Sequence, residues 1–183
     1  NLPPVSVNDI KIKDGDLVLG TYGRGIVIMD DIAFLAQATE EALREDVYLF
    51  PIRDAEQYYR NPRDLSNKAA RFAGPNPEYG ALITYHLREA PVQESPSDTT
   101  GVMVRILDGN GTVLRELAGP NRPGFNRIAW DLRRAADSAA TRRDQEEERR
   151  ALADVEPGSY TVTLSARGRE MAQTVRVIPD RRR

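Results

Sequence analysis

The chain has 183 residues, 40% apolar and 30% charged, with 26 basic side chains against 28 acidic ones. That near-balance gives no electrostatic basis for binding nucleic acid or an anionic membrane, and no apolar run approaches the roughly 20 residues of a membrane helix. Cysteine is absent and His86 is the one histidine, which excludes thiolate metal sites, disulfides, a cysteine nucleophile and any relay using two imidazoles.

The first 31 residues read as short strands. Leu2-Pro3-Pro4-Val5 is extended, because each proline fixes its own φ and biases its predecessor away from helix. Ile10 and Ile12 alternate with Lys11 and Lys13, the pattern of a half-buried strand. After the turn Asp14-Gly15-Asp16, residues 17–19 and 26–29 are nearly continuous apolar runs, as in strands covered on both faces. Between them lies the glycine hairpin Gly20-Thr21-Tyr22-Gly23-Arg24-Gly25. Two strands around such a turn are the repeat unit of a β-propeller blade. A propeller needs about four to eight blades, and nothing else in the chain repeats this one. The expectation is that residues 1–31 end the last blade of a longer protein and form the least stable part of the isolated chain.

Residues 32–47 have helical spacing, and Thr39 is placed to cap a short helix over 40–45 with Glu40 and Glu41 in its first turn. Tyr48-Leu49-Phe50-Pro51 reads as a short edge-like strand ended by proline. Residues 52–78 lose periodicity and collect Asn61-Pro62, Gly74-Pro75 and Asn76-Pro77, so 32–78 reads as a short helix and a linker.

From Gly80 onward the pattern is β. Ala81, Ile83, Tyr85 and Leu87 share one face, and Val102, Val104 and Ile106 alternate likewise. Asp108-Gly109-Asn110-Gly111 predicts a hairpin turn into 113–117. Ile128, Trp130 and Leu132 point inward, as do Tyr160, Val162 and Leu164, then Val175 and Val177 beyond the turn Arg167-Gly168. Six strands at this spacing predict an immunoglobulin-like β-sandwich over 79–180. A charged insertion at 133–154 interrupts it as a solvated helix or a loop. The fold class is therefore mainly β: the remnant of a propeller blade followed by an immunoglobulin-like sandwich.

The blade end Gly20-Thr21-Tyr22-Gly23-Arg24-Gly25-Ile26 with Asp30-Asp31 resembles the closing segment of bacterial sortilin-like, BNR-repeat propeller proteins. Many of these are labelled glycosyl hydrolases by analogy with sialidases and xyloglucanases. The resemblance continues through Tyr79-Gly80-Ala81-Leu82-Ile83, Gly124-Phe125-Asn126-Arg127, Trp130-Asp131-Leu132-Arg133 and Pro157-Gly158-Ser159-Tyr160. This downstream part is similar to the immunoglobulin-like domain of flagellar hook-assembly proteins. The likeness implies an exported protein, secreted or periplasmic, whose acidic catalytic residues belong to other blades. The Asp-box signature Ser-x-Asp-x-Gly-x-Thr-Trp is missing, so no catalytic residue is carried over.

Each residue that invites chemistry has a structural counter-reading. Gly23-Arg24-Gly25 has the glycines of a phosphate nest but no following helix, and reads as a hairpin tip. Asp30-Asp31 offers carboxylates for glycoside hydrolysis but no partner at the required separation, and reads as a strand end that caps the next segment. His86 lacks an orienting partner and reads as a surface or interface histidine. Trp130 reads as core. Tyr58 and Tyr59, in the linker, are the one pair placed for glycan or partner contact, or to pin the linker to a domain surface. Glu146-Glu147-Glu148 reads as a solvated face and Arg181-Arg182-Arg183 as a frayed tail.

The expected role is a non-catalytic accessory domain that braces the upstream propeller domain of the same protein or mediates protein or glycan contacts. It needs no cofactor or metal, and engages no nucleic acid or membrane. The alternatives are part of a sialidase- or xyloglucanase-like hydrolase whose catalytic blades lie upstream, and a carbohydrate-binding module.

Overall fold

Period-two alternation places one set of side chains inward along each strand, and the computed structural model is mainly β, as that patterning predicts. It describes residues 4–58, 78–90, 101–134 and 154–180. Tyr59, most of the linker, Glu146-Glu147-Glu148, most of the charged insertion and Arg181-Arg182-Arg183 lie outside the described residues. Two compact units are resolved, Asn1–Glu45 and Asp46–Arg183.

In the first unit, β1 (Val7–Lys13), β2 (Asp16–Thr21) and β3 (Gly25–Met29) form an antiparallel meander in the order β1-β2-β3. Both turns need left-handed backbone. Asp14 and Gly15 supply it at φ 53° and 86°, Gly23 and Gly25 at 80° and 74°. After β3 the chain folds back on the first turn. The Asp31 amide donates to the Asp16 carboxylate at 2.9 Å, and the Ile32 amide to the Gly15 carbonyl at 2.8 Å. A 3-10 turn (Ala33–Gln37) and α1 (Glu40–Arg44) follow. Thr39 caps α1 as predicted, its hydroxyl accepting from the Ala42 amide at 3.3 Å.

The second unit carries β4 (Val47–Leu49), β5 (Ala55–Glu56), β6 (Ala81–Leu87), β7 (Val102–Leu107), β8 (Val113–Ala118), β9 (Gly124–Trp130), β10 (Gly158–Ala166) and β11 (Arg169–Ile178). They form a three-stranded sheet β4-β6-β9 and a five-stranded sheet β5-β11-β10-β7-β8. Only the short β5–β11 pairing is parallel among the named strand pairs. One hydrophobic core draws on both sheets: Ile83, Tyr85, Leu87 and Trp130 from the first, Val104, Ile106, Val162, Leu164 and Val175 from the second. All nine are fully buried. Two sheets around one core agree with the mainly-β expectation.

Residues 47–56 differ from the sequence expectation of a strand followed by linker. They begin the sandwich and cross between its sheets, with Pro51 between β4 and β5. Val47, Leu49 and Ala55 are buried in the core. The Phe50 amide reaches the Thr84 carbonyl at 3.1 Å, and the Gln57 amide reaches the Ile178 carbonyl at 2.9 Å. Three apolar side chains are too few to show periodicity, so the pattern is invisible locally.

Trp130 anchors one end of the core. Its indole N–H donates to the Arg133 carbonyl at 3.0 Å, and Tyr160 meets the ring edge-on at 5.4 Å. Tyr160 in turn donates its hydroxyl to the Glu156 carbonyl at 2.6 Å, a corner bond to the backbone four residues upstream. Gly80 passes so close that a Cβ there would fall on the Trp130 carbonyl, and its φ is 109°. The Arg133–Asp154 bridge and ion pair (3.2 Å) close the neck of the insertion.

At the loop before β9, the buried Asn126 side chain accepts from the Arg122 amide (3.1 Å) and donates to the Arg122 and Gly124 carbonyls. Tyr85 donates its hydroxyl to the Pro120 carbonyl in the same loop.

Two substitutions test this anchoring. Gly80→Ala adds left-handed strain to a backbone clash and is expected to cost about 2–4 kcal/mol of unfolding free energy, read from urea denaturation. Tyr160→Phe removes the corner hydrogen bond alone and is expected to cost about 1 kcal/mol. A Gly80→Ala protein with an unchanged midpoint would contradict the close approach.

Candidate functional site

The residues singled out in the sequence do not gather into one site. Arg24 lies exposed at the tip of the β2–β3 hairpin, where Thr21 donates its hydroxyl to the Gly25 carbonyl at 2.7 Å. The Asp31 carboxylate accepts from the Ala33 amide at 3.3 Å, a local bond at the start of the 3-10 turn. Trp130 is fully buried, as expected. Tyr58 is 50% exposed and stands edge-on to Tyr79 at 4.9 Å, so one ring of the predicted pair keeps an open face. Among the described residues, no group of three or more His, Asp or Glu side chains could hold a metal ion.

The feature that does stand out is the three-stranded sheet of the first unit. Its register places Ile10, Leu19 and Val27 in one row and Ile12, Leu17 and Met29 in another on the same face. The opposite face holds Val18, Ile28 and Ile26 with Asp9 and Lys11. Ile10, Ile12, Ile26 and Ile28 are between 57% and 72% exposed, the range of a solvent-facing side chain. Soluble surfaces scatter such residues singly; here they are contiguous on both faces. By strand spacing and length each face spans about 300 Å². Sequence patterning anticipated the lost cover from the unbroken apolar runs, although not that both faces would be open.

A second aromatic row sits on the three-stranded sheet of the sandwich, where Tyr48, His86 and Phe125 are cross-strand neighbours. Phe125 is 46% exposed and meets the His86 ring at 5.5 Å. His86 Nδ1 is buried, with no hydrogen-bond partner among the described residues. Thr84, on the same face, is buried as well and accepts from Arg127 Nε at 3.2 Å. Sequence alternation put His86 on this outer face correctly but gave no sign of the phenyl ring opposite it on the neighbouring strand.

Desolvation holds the His86 pKa below its ordinary value. The folded protein therefore keeps the ring neutral where the unfolded chain, titrating near 6.5, already takes a proton. The resulting stabilisation is complete above about pH 6.5 and is lost as pH falls through the folded value. His86→Phe keeps an aromatic ring beside Phe125 and removes the titration. Relative to this variant, the native protein is expected to lose stability as pH drops from 7.5 to 5. Parallel stability curves from thermal melts would disprove the assignment.

No helix among the described residues is long and apolar enough to cross a membrane. Comparisons with protein-family models, with characterised proteins and with solved structures gave no match to this chain.

Proposed function

We propose that this chain is a non-catalytic accessory module of an exported sortilin-like, BNR-type propeller protein. Its first unit packs into the propeller, and its sandwich braces that propeller or presents a surface to protein or glycan partners. The observation that carries this reading is the β1–β3 sheet with apolar side chains exposed on both faces. An isolated sheet of three short strands gains little stability without a layer against it. Adjacent β layers of the same protein would supply that cover on both sides, as stacked blades do.

Polar chemistry supports the same reading. The best-defined buried polar groups, Asn126 and Thr84, hold backbone and neighbouring strands in place. A half-exposed Tyr58 ring favours glycan contact as the second reading. Glycan-array binding that disappears in Tyr58→Ala or Tyr59→Ala would favour it.

Hydrogen exchange tests the main proposal. In the isolated chain the amides of β1–β3 are expected to exchange at least 100-fold faster than those of β10 and β11. In the propeller-containing protein they should slow by a comparable factor while the sandwich stays unchanged. Equal protection of β1–β3 in both proteins would refute the packing role. Release of nitrophenol from model glycosides by the isolated chain, abolished by Asp30→Asn or Asp31→Asn, would return the chemistry to these residues.

A further inference from the structure

The turn between β7 and β8 contains a second chemical motif besides its hairpin signal. Asn110-Gly111-Thr112 has the form Asn-x-Thr, the acceptor motif for an N-linked glycan, with glycine and not proline in the middle. Asn110 is the one asparagine in the sequence with serine or threonine two positions on. The stricter bacterial form of the motif adds an acid two residues before the asparagine, and Asp108 stands there.

The fold presents this motif openly. β7 ends at Leu107 and β8 begins at Val113, so the acceptor residues lie beyond the ladder. Gly109, Asn110, Gly111 and Thr112 are all exposed. A Cβ added at Gly109 or Gly111 would meet nothing within 4 Å, so there is open space on both sides of Asn110. The Asp108 carboxylate accepts from the Asn110 and Thr112 amides, each at 2.9 Å, and the Asp108 carbonyl accepts from the Gly111 amide at 3.0 Å. None of these bonds uses the Asn110 side chain. They are confined to residues 108–112, so opening them leaves the β7–β8 pairing intact from Met103↔Ala118 to Leu107↔Val113.

We propose that Asn110 is an acceptor for an N-linked oligosaccharide. Its Nδ2 attacks the anomeric carbon of a lipid-pyrophosphate-linked oligosaccharide, bound by an oligosaccharyltransferase. A C–N bond forms, the C–O bond to the pyrophosphate breaks, the lipid pyrophosphate leaves, and one amide proton passes to solvent. The glycan then projects from the hairpin tip and leaves the core untouched. Supply of the donor in the cell rests on the exported reading above, whereas the acceptor chemistry rests on the turn alone.

Transfer from purified components tests this. The folded full chain is incubated with a bacterial oligosaccharyltransferase and a lipid-pyrophosphate-linked oligosaccharide, and the product is read by intact mass and peptide mapping. One oligosaccharide per chain, on Asn110, is expected. Asn110→Gln abolishes transfer, Thr112→Ala slows it at least tenfold, and Thr112→Ser retains it. Asp108→Asn keeps a side-chain carbonyl for the turn while removing the charge, and is also expected to slow transfer at least tenfold. Unchanged thermal midpoints of these variants separate lost transfer from lost folding. Transfer to a peptide of residues 105–115 but not to the folded chain would mean that the turn hides its acceptor, and overturns the proposal. Transfer to neither, or to another residue, overturns it as well. No membrane compartment enters the experiment, so its failure leaves the exported reading standing, and localisation of the propeller-containing protein tests that reading separately.

Discussion

A sheet with apolar side chains on a face must have another layer against it, and everything in this chain follows from how that requirement is met. The sandwich meets it internally. Val104, Ile106, Val162 and Leu164 face Ile83, Tyr85 and Leu87 in one core, and none of them reaches solvent. The sheet of the first unit leaves Ile10, Ile12, Ile26 and Ile28 open. The same alternation rule thus builds a closed core in one unit and leaves an open surface in the other.

Closure of the sandwich depends on a few positions where ordinary side chains would fail. Trp130 fills the core near its end, and only a glycine at position 80 lets the chain pass its carbonyl. Leu132 takes left-handed backbone, φ 59°, while remaining fully buried. That conformation is costly for a branched side chain. Burial of the leucine and the Val155 amide bonding its carbonyl at 2.9 Å oppose that cost. Tyr160 then ties the entry of β10 to the backbone four residues earlier. Conformational strain and core packing are here coupled within a short stretch of chain.

Much of this was legible in the residues. Inward positions at Val102, Val104 and Ile106, or at Val162 and Leu164, follow from alternation because each strand is long enough to show a period. Alternation also placed Tyr160 inward, while its hydrogen bond to the Glu156 carbonyl was not read from the sequence. Other features depended on contacts that sequence does not encode locally. β5 has two residues and its partner β11 lies more than 110 positions away, so no pattern identifies it. His86 is defined by Phe125 across the sheet, a neighbour set by register alone. One uncovered face of β1–β3 was foreseeable from its unbroken apolar runs, whereas the exposure of both faces and the bulge in β1 were not.

The difference between the edges of that sheet turns a general statement about exposed apolar surface into a directional one. Open faces say only that a layer is missing, and any apolar partner would satisfy them. Edges are more selective, because main-chain pairing demands an extended strand in register. β1 carries a bulge at Asn8 and the charges of Lys11 and Lys13, whereas β3 is uncharged and has one carbonyl, that of Gly25, met by the Thr21 hydroxyl. If the sheet functioned as a free-standing unit, both edges would carry the same hazard and the same protection would suit each. Charge and a bulge therefore discourage further pairing more along β1 than along β3.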